Sequence, residues 1–149
     1  MVAKAQGGTG MTPRASGSKK RGLVVEDEPT IAKMCTRVLA AEGFEVDIAV
    51  DGKSALNVLK EKKFDLCLID IRTPEMNGTE LYHQLKERHL EMVNKIIFTT
   101  GDTINEKIKA FLAETGRPFL PKPFTPSELR SMIRKALALS SQEKSKKDG

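Results

Sequence analysis

Short apolar segments alternate with longer amphipathic segments along most of the chain. The short segments are rich in β-branched and aromatic residues, whereas the longer ones repeat apolar positions at the helical period. The predicted strands cover residues 23–25, 45–49, 65–69, 95–99 and 118–120. The predicted helices cover residues 30–41, 52–61, 78–89, 103–114 and 127–139. This pattern predicts five consecutive strand–helix units.

Residues with known preferences for helix ends mark several of these boundaries. Gly43 follows the first helix, Asp51 precedes the second, and the pair Thr125 and Pro126 precedes the last. Aspartate and threonine cap helix N-termini, and glycine commonly ends a helix. These residues therefore support the helical segments that the apolar period predicts.

The predicted strands are nearly continuous apolar runs separated by helices. Such strands are typical of a parallel sheet that helices cover on both faces. The pattern predicts a doubly wound α/β fold with a five-stranded parallel sheet. In such sheets ligands bind beyond the carboxyl ends of the strands, so the residues that follow each strand are the candidates for a functional site.

The composition fits one soluble domain. The 149 residues are 39% hydrophobic and 30% charged, and no apolar run approaches the ~20 residues that a membrane-spanning helix needs. The N-terminal residues contain no apolar block of a secretory signal. We therefore expect a cytoplasmic protein without membrane contact, in which Cys35 and Cys67 are buried thiols rather than a disulfide.

The net charge of +5 belongs to the two ends of the chain. Residues 1–22 carry +5 and residues 140–149 carry +1, so residues 23–139 carry −1. This distribution predicts a flexible basic Gly/Ser-rich arm or linker over 1–22, a globular domain over 23–139 and a polar disordered tail over 140–149. The near-neutral body does not predict a nucleic-acid-binding face.

Polar and charged residues follow four of the five predicted strands. Glu26 and Asp27 follow the first strand, Asp70 the third, Thr100 the fourth and Lys122 the fifth. Crowded carboxylates raise one another's pKa unless a cation joins them, and Mg²⁺ prefers oxygen ligands. A magnesium ion, an ammonium group and a hydroxyl around Asp70 are the groups needed for phosphoryl transfer to that carboxylate.

Four spaced motifs resemble the receiver domain of two-component response regulators. They are Leu-Val-Val-Glu-Asp-Glu-Pro at 23–29, Leu-Ile-Asp-Ile-Arg-Thr-Pro-Glu-Met-Asn-Gly at 68–78, Ile-Phe-Thr-Thr-Gly at 97–101 and Lys-Pro-Phe at 122–124. The resemblance covers about residues 22–139. It implies a flavodoxin-like (βα)5 fold with strand order 2-1-3-4-5 and a cis peptide between Lys122 and Pro123.

The same resemblance assigns roles to the residues at the strand ends. It implies that Asp70 is the phospho-acceptor and that Lys122 contacts the phosphoryl group. The implied ligands of Mg²⁺ are the carboxylates of Glu26, Asp27 and Asp70 and the backbone carbonyl of Arg72. Glu26 stands where aspartate is commoner, which lengthens one arm of the pocket without changing its charge.

The resemblance also implies a conformational switch made of Thr100 and Phe119. Thr99 precedes Thr100, so either hydroxyl could serve, and the small neighbour Gly101 favours Thr100. Phe119 has no hydroxyl, which leaves only packing for the aromatic part of the switch.

The function implied is a signalling switch that accepts a phosphoryl group from a phosphohistidine. The donor would be a histidine kinase or a histidine phosphotransfer domain, and the signal would pass to a protein target through the fourth helix, fifth strand and fifth helix. Catalysis would be limited to self-catalysed phosphoryl transfer and autodephosphorylation. A monomer or a weak phosphorylation-dependent dimer is expected. The alternative is a degenerate receiver that acts only as an interaction module.

Two further questions concern the wider protein and the reaction class. Residues 99–102 and 111–124 look especially similar to receivers at the carboxyl end of hybrid sensor histidine kinases, although a stand-alone regulator fits nearly as well. No output module follows Leu139, so we expect output through a partner or a longer parent chain.

A haloacid-dehalogenase-like phosphatase also uses an aspartate nucleophile at a strand end together with Mg²⁺. That class requires a second acidic residue two positions after the nucleophile, where this chain has Arg72, so the sequence disfavours it.

Overall fold

The computed structural model describes residues 19–72, 76–101 and 105–148, with side chains as far as residue 138. Strands and helices alternate through these residues. The strands are β1 (Lys20–Val25), β2 (Phe44–Ala49), β3 (Leu66–Asp70), β4 (Ile96–Thr100) and β5 (Phe119–Pro121). The helices are α1 (Pro29–Ala41), α2 (Gly52–Glu61), α3 (Gly78–Arg88), α4 (Glu106–Thr115) and α5 (Pro126–Asp148), with a 3-10 helix over Leu90–Lys95.

The five strands form one parallel sheet in the order β2-β1-β3-β4-β5. Both the predicted fold class and the strand order are thereby confirmed. β5 is an edge strand, and Pro121 pairs with Thr100 at its end. Proline lacks a backbone donor, and an edge strand tolerates it because only one side of the strand bonds to a neighbour.

Helices cover both faces of the sheet and create two apolar cores. On one face α2, α3 and α4 pack on strand residues that include Phe98, and on the other α1 and α5 pack on residues that include Ile97. Neighbouring residues of β4 thus point to opposite faces, as the pleat of a strand requires. Burial on both faces explains why the strands read as continuous apolar runs.

Two predicted boundaries need correction. β1 begins at Lys20 rather than Leu23, because Lys20 pairs with Phe44 at the start of β2. Arg21 also bonds with both its backbone groups to Asp65: its N–H donates to the Asp65 carboxylate and its carbonyl accepts from the Asp65 N–H, each at 2.7 Å. α5 continues to Asp148, across residues that the sequence assigned to a polar disordered tail. Most of the predicted N-terminal arm lies outside the described residues, which begin at 19.

Helix α4 begins at Glu106, after an N-cap at Asn105 whose side chain accepts from the Ile108 N–H at 2.9 Å. The predicted start at Thr103 lies outside the described residues. The Lys122–Pro123 peptide is cis, as the resemblance implied. Within the described ranges, no helix combines the length and apolar character needed to cross a membrane.

A reciprocal pair of hydrogen bonds starts α5. The Glu128 N–H donates to Thr125 Oγ1 at 3.1 Å, and the Thr125 N–H donates to the Glu128 carboxylate at 2.8 Å. We predict that Thr125→Ala lowers the free energy of unfolding by about 1 kcal/mol, because it removes the hydroxyl that accepts from the Glu128 N–H. Urea unfolding measures the change. Thr125→Ser keeps the hydroxyl and should keep the stability; equal losses in both variants would contradict the cap.

Candidate functional site

The carboxyl ends of the strands surround a polar cleft. Glu26 follows β1, Asp70 is the last residue of β3, and Lys122 follows β5. The cleft has a volume of about 600 Å³. It is lined by Glu26, Asp27, Glu28, Pro29, Ile31, Asp70, Arg72, Gly101, Lys122 and Pro123. The parallel sheet therefore brings together the acidic and basic residues that the sequence placed at separate strand ends.

The side chain of Lys122 joins two carboxylates. Its Nζ lies 2.8 Å from Glu26 Oε1 and 2.9 Å from Asp70 Oδ2. The side chain of Glu26 is 3% exposed and that of Asp70 is 6% exposed, so water screens these charges weakly. Each carboxylate also accepts a backbone bond: Glu26 from the Glu28 N–H at 3.1 Å and Asp70 Oδ1 from the Arg72 N–H at 3.1 Å.

The charges of the cleft are incompletely balanced. Burial raises the pKa of Glu26; hydrogen bonds from Lys122 and the Glu28 N–H oppose that rise, while the charge of Asp70 adds to it. Burial alone lowers the pKa of Lys122, but its bonds to Glu26 and Asp70 outweigh burial and hold that pKa above its ordinary value. Lys122 is therefore charged at neutral pH.

The raised pKa of Glu26 has a consequence for stability. A carboxyl group whose pKa rises on folding stabilises the fold below its ordinary pKa of 4.5, and this contribution is lost as the pH rises through the folded value. Ionisation of Glu26 is thus unfavourable to the fold, chiefly because the carboxyl group is buried and also because Asp70 lies beside it.

Three carboxylates form a cluster that fits a divalent cation. One oxygen each of Glu26, Asp27 and Asp70 lies within 4.8 Å of the others, and Asp27 is the exposed member. A set of hard oxygen donors beside solvent suits Mg²⁺, which retains water ligands when it binds. The structure thus brings together the three predicted carboxylate ligands; the carbonyl of Arg72 as a further ligand stays a prediction.

The two candidate hydroxyls of β4 lie on opposite faces of the sheet. Thr100 alternates with Phe98 and so shares the face of α2, α3 and α4, where Phe119 is half-buried against the core. Thr100 Oγ1 is buried, and no described residue bonds to it. A buried hydroxyl without a partner is costly, so this atom is the candidate for a new bond when the site changes state.

Two residues line the cleft that the sequence did not place there. Ile31 lines it from the first turn of α1, and its position five residues after Glu26, in a helix that begins at Pro29, could have indicated this. Gly101 lies beneath the Lys122 side chain, where an added Cβ would stand 3.2 Å from Lys122 Cδ. The absence of a side chain at Gly101 thus leaves room for the Lys122 side chain, which pairs with Glu26 and Asp70.

The comparisons with known proteins agree with this geometry. The sequence model of the response regulator receiver domain matches residues 23–134. The DNA-binding response regulator MtrA of Mycolicibacterium smegmatis is 33% identical over 125 residues, which are 84% of this chain and 54% of that protein. The probable transcriptional regulatory protein TcrX of Mycobacterium tuberculosis is 31% identical over 82% of this chain and 53% of its own length.

Solved structures give the same assignment. A CheY-like receiver domain protein from Methanospirillum hungatei has a TM-score of 0.75 and 32% identity, covering 85% of this chain and 99% of that one. The receiver domain of a histidine kinase from Syntrophus aciditrophicus has a TM-score of 0.71 and 26% identity, covering 80% and 90%. This chain belongs to the response regulator receiver domain family, and it spans about half the length of the curated relatives it matches.

The exposed carboxylate provides a test of the metal site. We predict that Asp27→Asn raises the free energy of unfolding of the metal-free protein by about 0.5 to 1 kcal/mol at neutral pH, because it removes one of three repelling charges. Mg²⁺ at about 100 times its Kd should stabilise the wild type by about 2.7 kcal/mol. Asp27→Asn should lose most of that gain. Urea unfolding with and without Mg²⁺ measures both effects; an unchanged gain in the variant would contradict the assigned ligand.

Proposed function

We propose that this chain is a signalling switch that accepts a phosphoryl group on Asp70. The observation that carries the proposal is the contact of one ammonium group, that of Lys122, with the carboxylates of both Asp70 and Glu26 beside a third carboxylate. A nucleophilic carboxylate, a cation site and a fixed ammonium are the parts that phosphoryl transfer requires. The membership of the receiver family supports the same function.

The proposed donor is a phosphohistidine of a histidine kinase or a histidine phosphotransfer domain. A carboxylate oxygen of Asp70 forms a bond to phosphorus as the bond from phosphorus to the imidazole nitrogen breaks, and the imidazole leaves with the electron pair of that bond. Lys122 donates to the phosphoryl oxygens and stabilises the charge that develops on them. Hydrolysis of the acyl phosphate by water later restores Asp70 and releases phosphate.

Mg²⁺ is the proposed cofactor of both steps. Glu26, Asp27 and Asp70 would hold it together with the backbone carbonyl of Arg72, and when bound it supplies positive charge to the transferring group. The Arg72 N–H meanwhile donates to Asp70 Oδ1 and fixes the orientation of that carboxylate. Apart from Mg²⁺, the groups proposed to act on the phosphoryl group come from this chain, so the proposed reaction is self-catalysed phosphoryl transfer and autodephosphorylation.

The signal is proposed to pass from the cleft to the face formed by α4, β5 and α5. A phosphoryl group adds about −1.5 to −2 charge at neutral pH and offers oxygens that Thr100 Oγ1 can bond. Thr100 and Phe119 lie on the same face of the sheet. When Thr100 moves toward the cleft it leaves space there, and Phe119 repacks into that space and so changes the surface of β5. This shift in populations is what a downstream protein target reads.

The proposed setting is a cytoplasmic phosphorelay. The curated relatives include proteins named as DNA-binding response regulators, but residues 23–139 of this chain carry a charge of −1 and no nucleic-acid contact is proposed for them.

Two kinds of parent protein agree with the proposed function: a stand-alone regulator and a hybrid histidine kinase that contains this receiver. The proposed oligomeric state is a monomer or a weak phosphorylation-dependent dimer. A degenerate receiver that only binds partners is the second candidate, and it would leave the three clustered carboxylates and the Lys122 ammonium without a chemical role.

Intact mass after incubation with Mg²⁺ and acetyl phosphate tests the proposed function. The wild type should gain one phosphoryl group, whereas Asp70→Asn and a metal-chelated sample should gain none. Asp47→Asn is the matched control, because Asp47 lies on β2, pairs with Lys62 and does not line the cleft. We expect this variant to gain the phosphoryl group as the wild type does. No gain in a folded wild type, under conditions that label another receiver, would favour the degenerate interaction module.

The unpaired hydroxyl of Thr100 gives a second prediction. Thr100→Val should raise the free energy of unfolding of the unphosphorylated protein by about 1 kcal/mol, because it replaces a buried hydroxyl without a partner by a methyl group. The same variant should show smaller chemical-shift changes at Phe119 on phosphorylation. Thr99→Val is the control and should give neither effect. A loss of stability in Thr100→Val would show that its hydroxyl has a partner in the unphosphorylated protein.

A further inference from the structure

The N-termini of two helices meet beside the cleft. Asp51 caps α2, and its side chain accepts from the Ser54 N–H at 2.7 Å. Asn77 caps α3. Between these caps the Gly52 N–H, the first of α2, donates to the backbone carbonyl of Met76 at 3.1 Å. The first residue of α2 is thereby joined to the chain that leads from β3 into α3.

The contact leaves no room for a side chain at position 52. An added Cβ on Gly52 would lie 2.3 Å from the Met76 carbonyl oxygen, 2.9 Å from Met76 Cβ and 3.0 Å from the Met76 carbonyl carbon. Two of these three atoms belong to the backbone, so a change of rotamer cannot relieve the clash. The positive φ angles among the described glycines belong to Gly43 and Gly116, so the conformation of Gly52 does not itself require glycine. The requirement comes from the approach of Met76.

The chain that Gly52 contacts begins at the proposed phospho-acceptor. The two ends of this segment are joined by a hydrogen bond: the Gly78 N–H donates at 2.8 Å to the carbonyl of Ile71, the residue directly after Asp70. The last residue of β2 contacts the other carboxylate segment, because the Ala49 carbonyl accepts from the Glu26 N–H at 2.9 Å. The end of β2 and the start of α2, only three residues apart, are therefore bonded to the segment of Glu26 and to Met76 of the segment after Asp70.

We propose that Gly52 is a positioning residue for the cation and phosphorylation site. Its missing side chain lets Met76 approach α2, and this approach holds the segment after Asp70 in register with the segment of Glu26. The inference rests on the proposed function for the phosphorylation step, but the binding of Mg²⁺ depends on the same geometry and can be measured by itself. An alanine at position 52 pushes Met76 away and with it Gly78, whose N–H bonds to the Ile71 carbonyl directly after Asp70.

Gly52→Ala and Gly43→Ala form a matched pair for the test. Gly43 has a φ of 94° and no atom within 4 Å of an added Cβ, so alanine there strains the backbone without touching the cleft. For each folded variant and the wild type, calorimetry gives the Kd of Mg²⁺ and mass spectrometry gives the rate of labelling by acetyl phosphate. Circular dichroism and urea unfolding report the fold and its stability.

We expect Gly52→Ala to weaken Mg²⁺ binding and to slow labelling by about tenfold, as loss of a group that orients a metal ligand typically does. Alanine is the better residue within a helix, so α2 itself should not be weakened. Gly43→Ala should lose stability but keep the Kd and the rate of the wild type.

Three outcomes would overturn the proposal: wild-type Mg²⁺ affinity and rate in Gly52→Ala, equal losses in both variants, or a Gly52→Ala protein that does not fold. If the wild type binds Mg²⁺ but is not labelled by acetyl phosphate, the proposed function is contradicted. The role of Gly52 is then decided by the Kd of Mg²⁺ in the two variants and the wild type. A wild type that binds no Mg²⁺ would overturn both.

Discussion

The site depends on one ammonium group that two buried carboxylates share. A carboxylate as buried as Glu26 is strongly unfavourable unless a cation or hydrogen-bond donors compensate it, and Lys122 supplies the cation at 2.8 Å. The same Nζ lies 2.9 Å from Asp70, so neither carboxylate is fully neutralised. The carboxylate of Asp27 lies beside this pair, so three carboxylates face one ammonium group and the cleft has an excess of acidic groups. That excess makes it a seat for a second cation.

The sheet topology explains how a lysine from the edge strand reaches this position. Glu26 follows β1 and Asp70 ends β3, whereas Lys122 follows β5, with β4 lying between β3 and β5. The Lys122 side chain must therefore cross the end of β4. Gly101 stands at that end, and an added Cβ there would press on Lys122 Cδ at 3.2 Å. A small residue after β4 thus leaves room for the Lys122 side chain to pass over the end of that strand.

The sequence predicted the parts of the site that depend on strand ends. Glu26, Asp27, Asp70 and Lys122 were found because parallel strands bring their carboxyl ends to one edge, which periodicity alone establishes. The contact of Gly52 with Met76 was not found, because a close approach between two loops leaves no periodic signal. The early start of β1 was missed for a similar reason, since it follows from the pairing of Lys20 with Phe44 at the start of β2. The length of α5 was missed because its last residues lack an apolar stripe.

In the proposed function, the shared ammonium would also link cation binding to phosphorylation of Asp70. Lys122 cannot turn fully toward a phosphoryl group while Glu26, only 3% exposed, depends on it for compensation. The Lys122 ammonium can leave Glu26 at lower cost when another cation lies beside that carboxylate. The neighbouring oxygens of Asp27 and Asp70 form a site for such a cation. A site with a single buried carboxylate would have no such exchange, because its lysine would stay paired. In the proposed reaction, the surplus of carboxylates over ammonium groups would therefore free Lys122 to act on the phosphoryl group at Asp70.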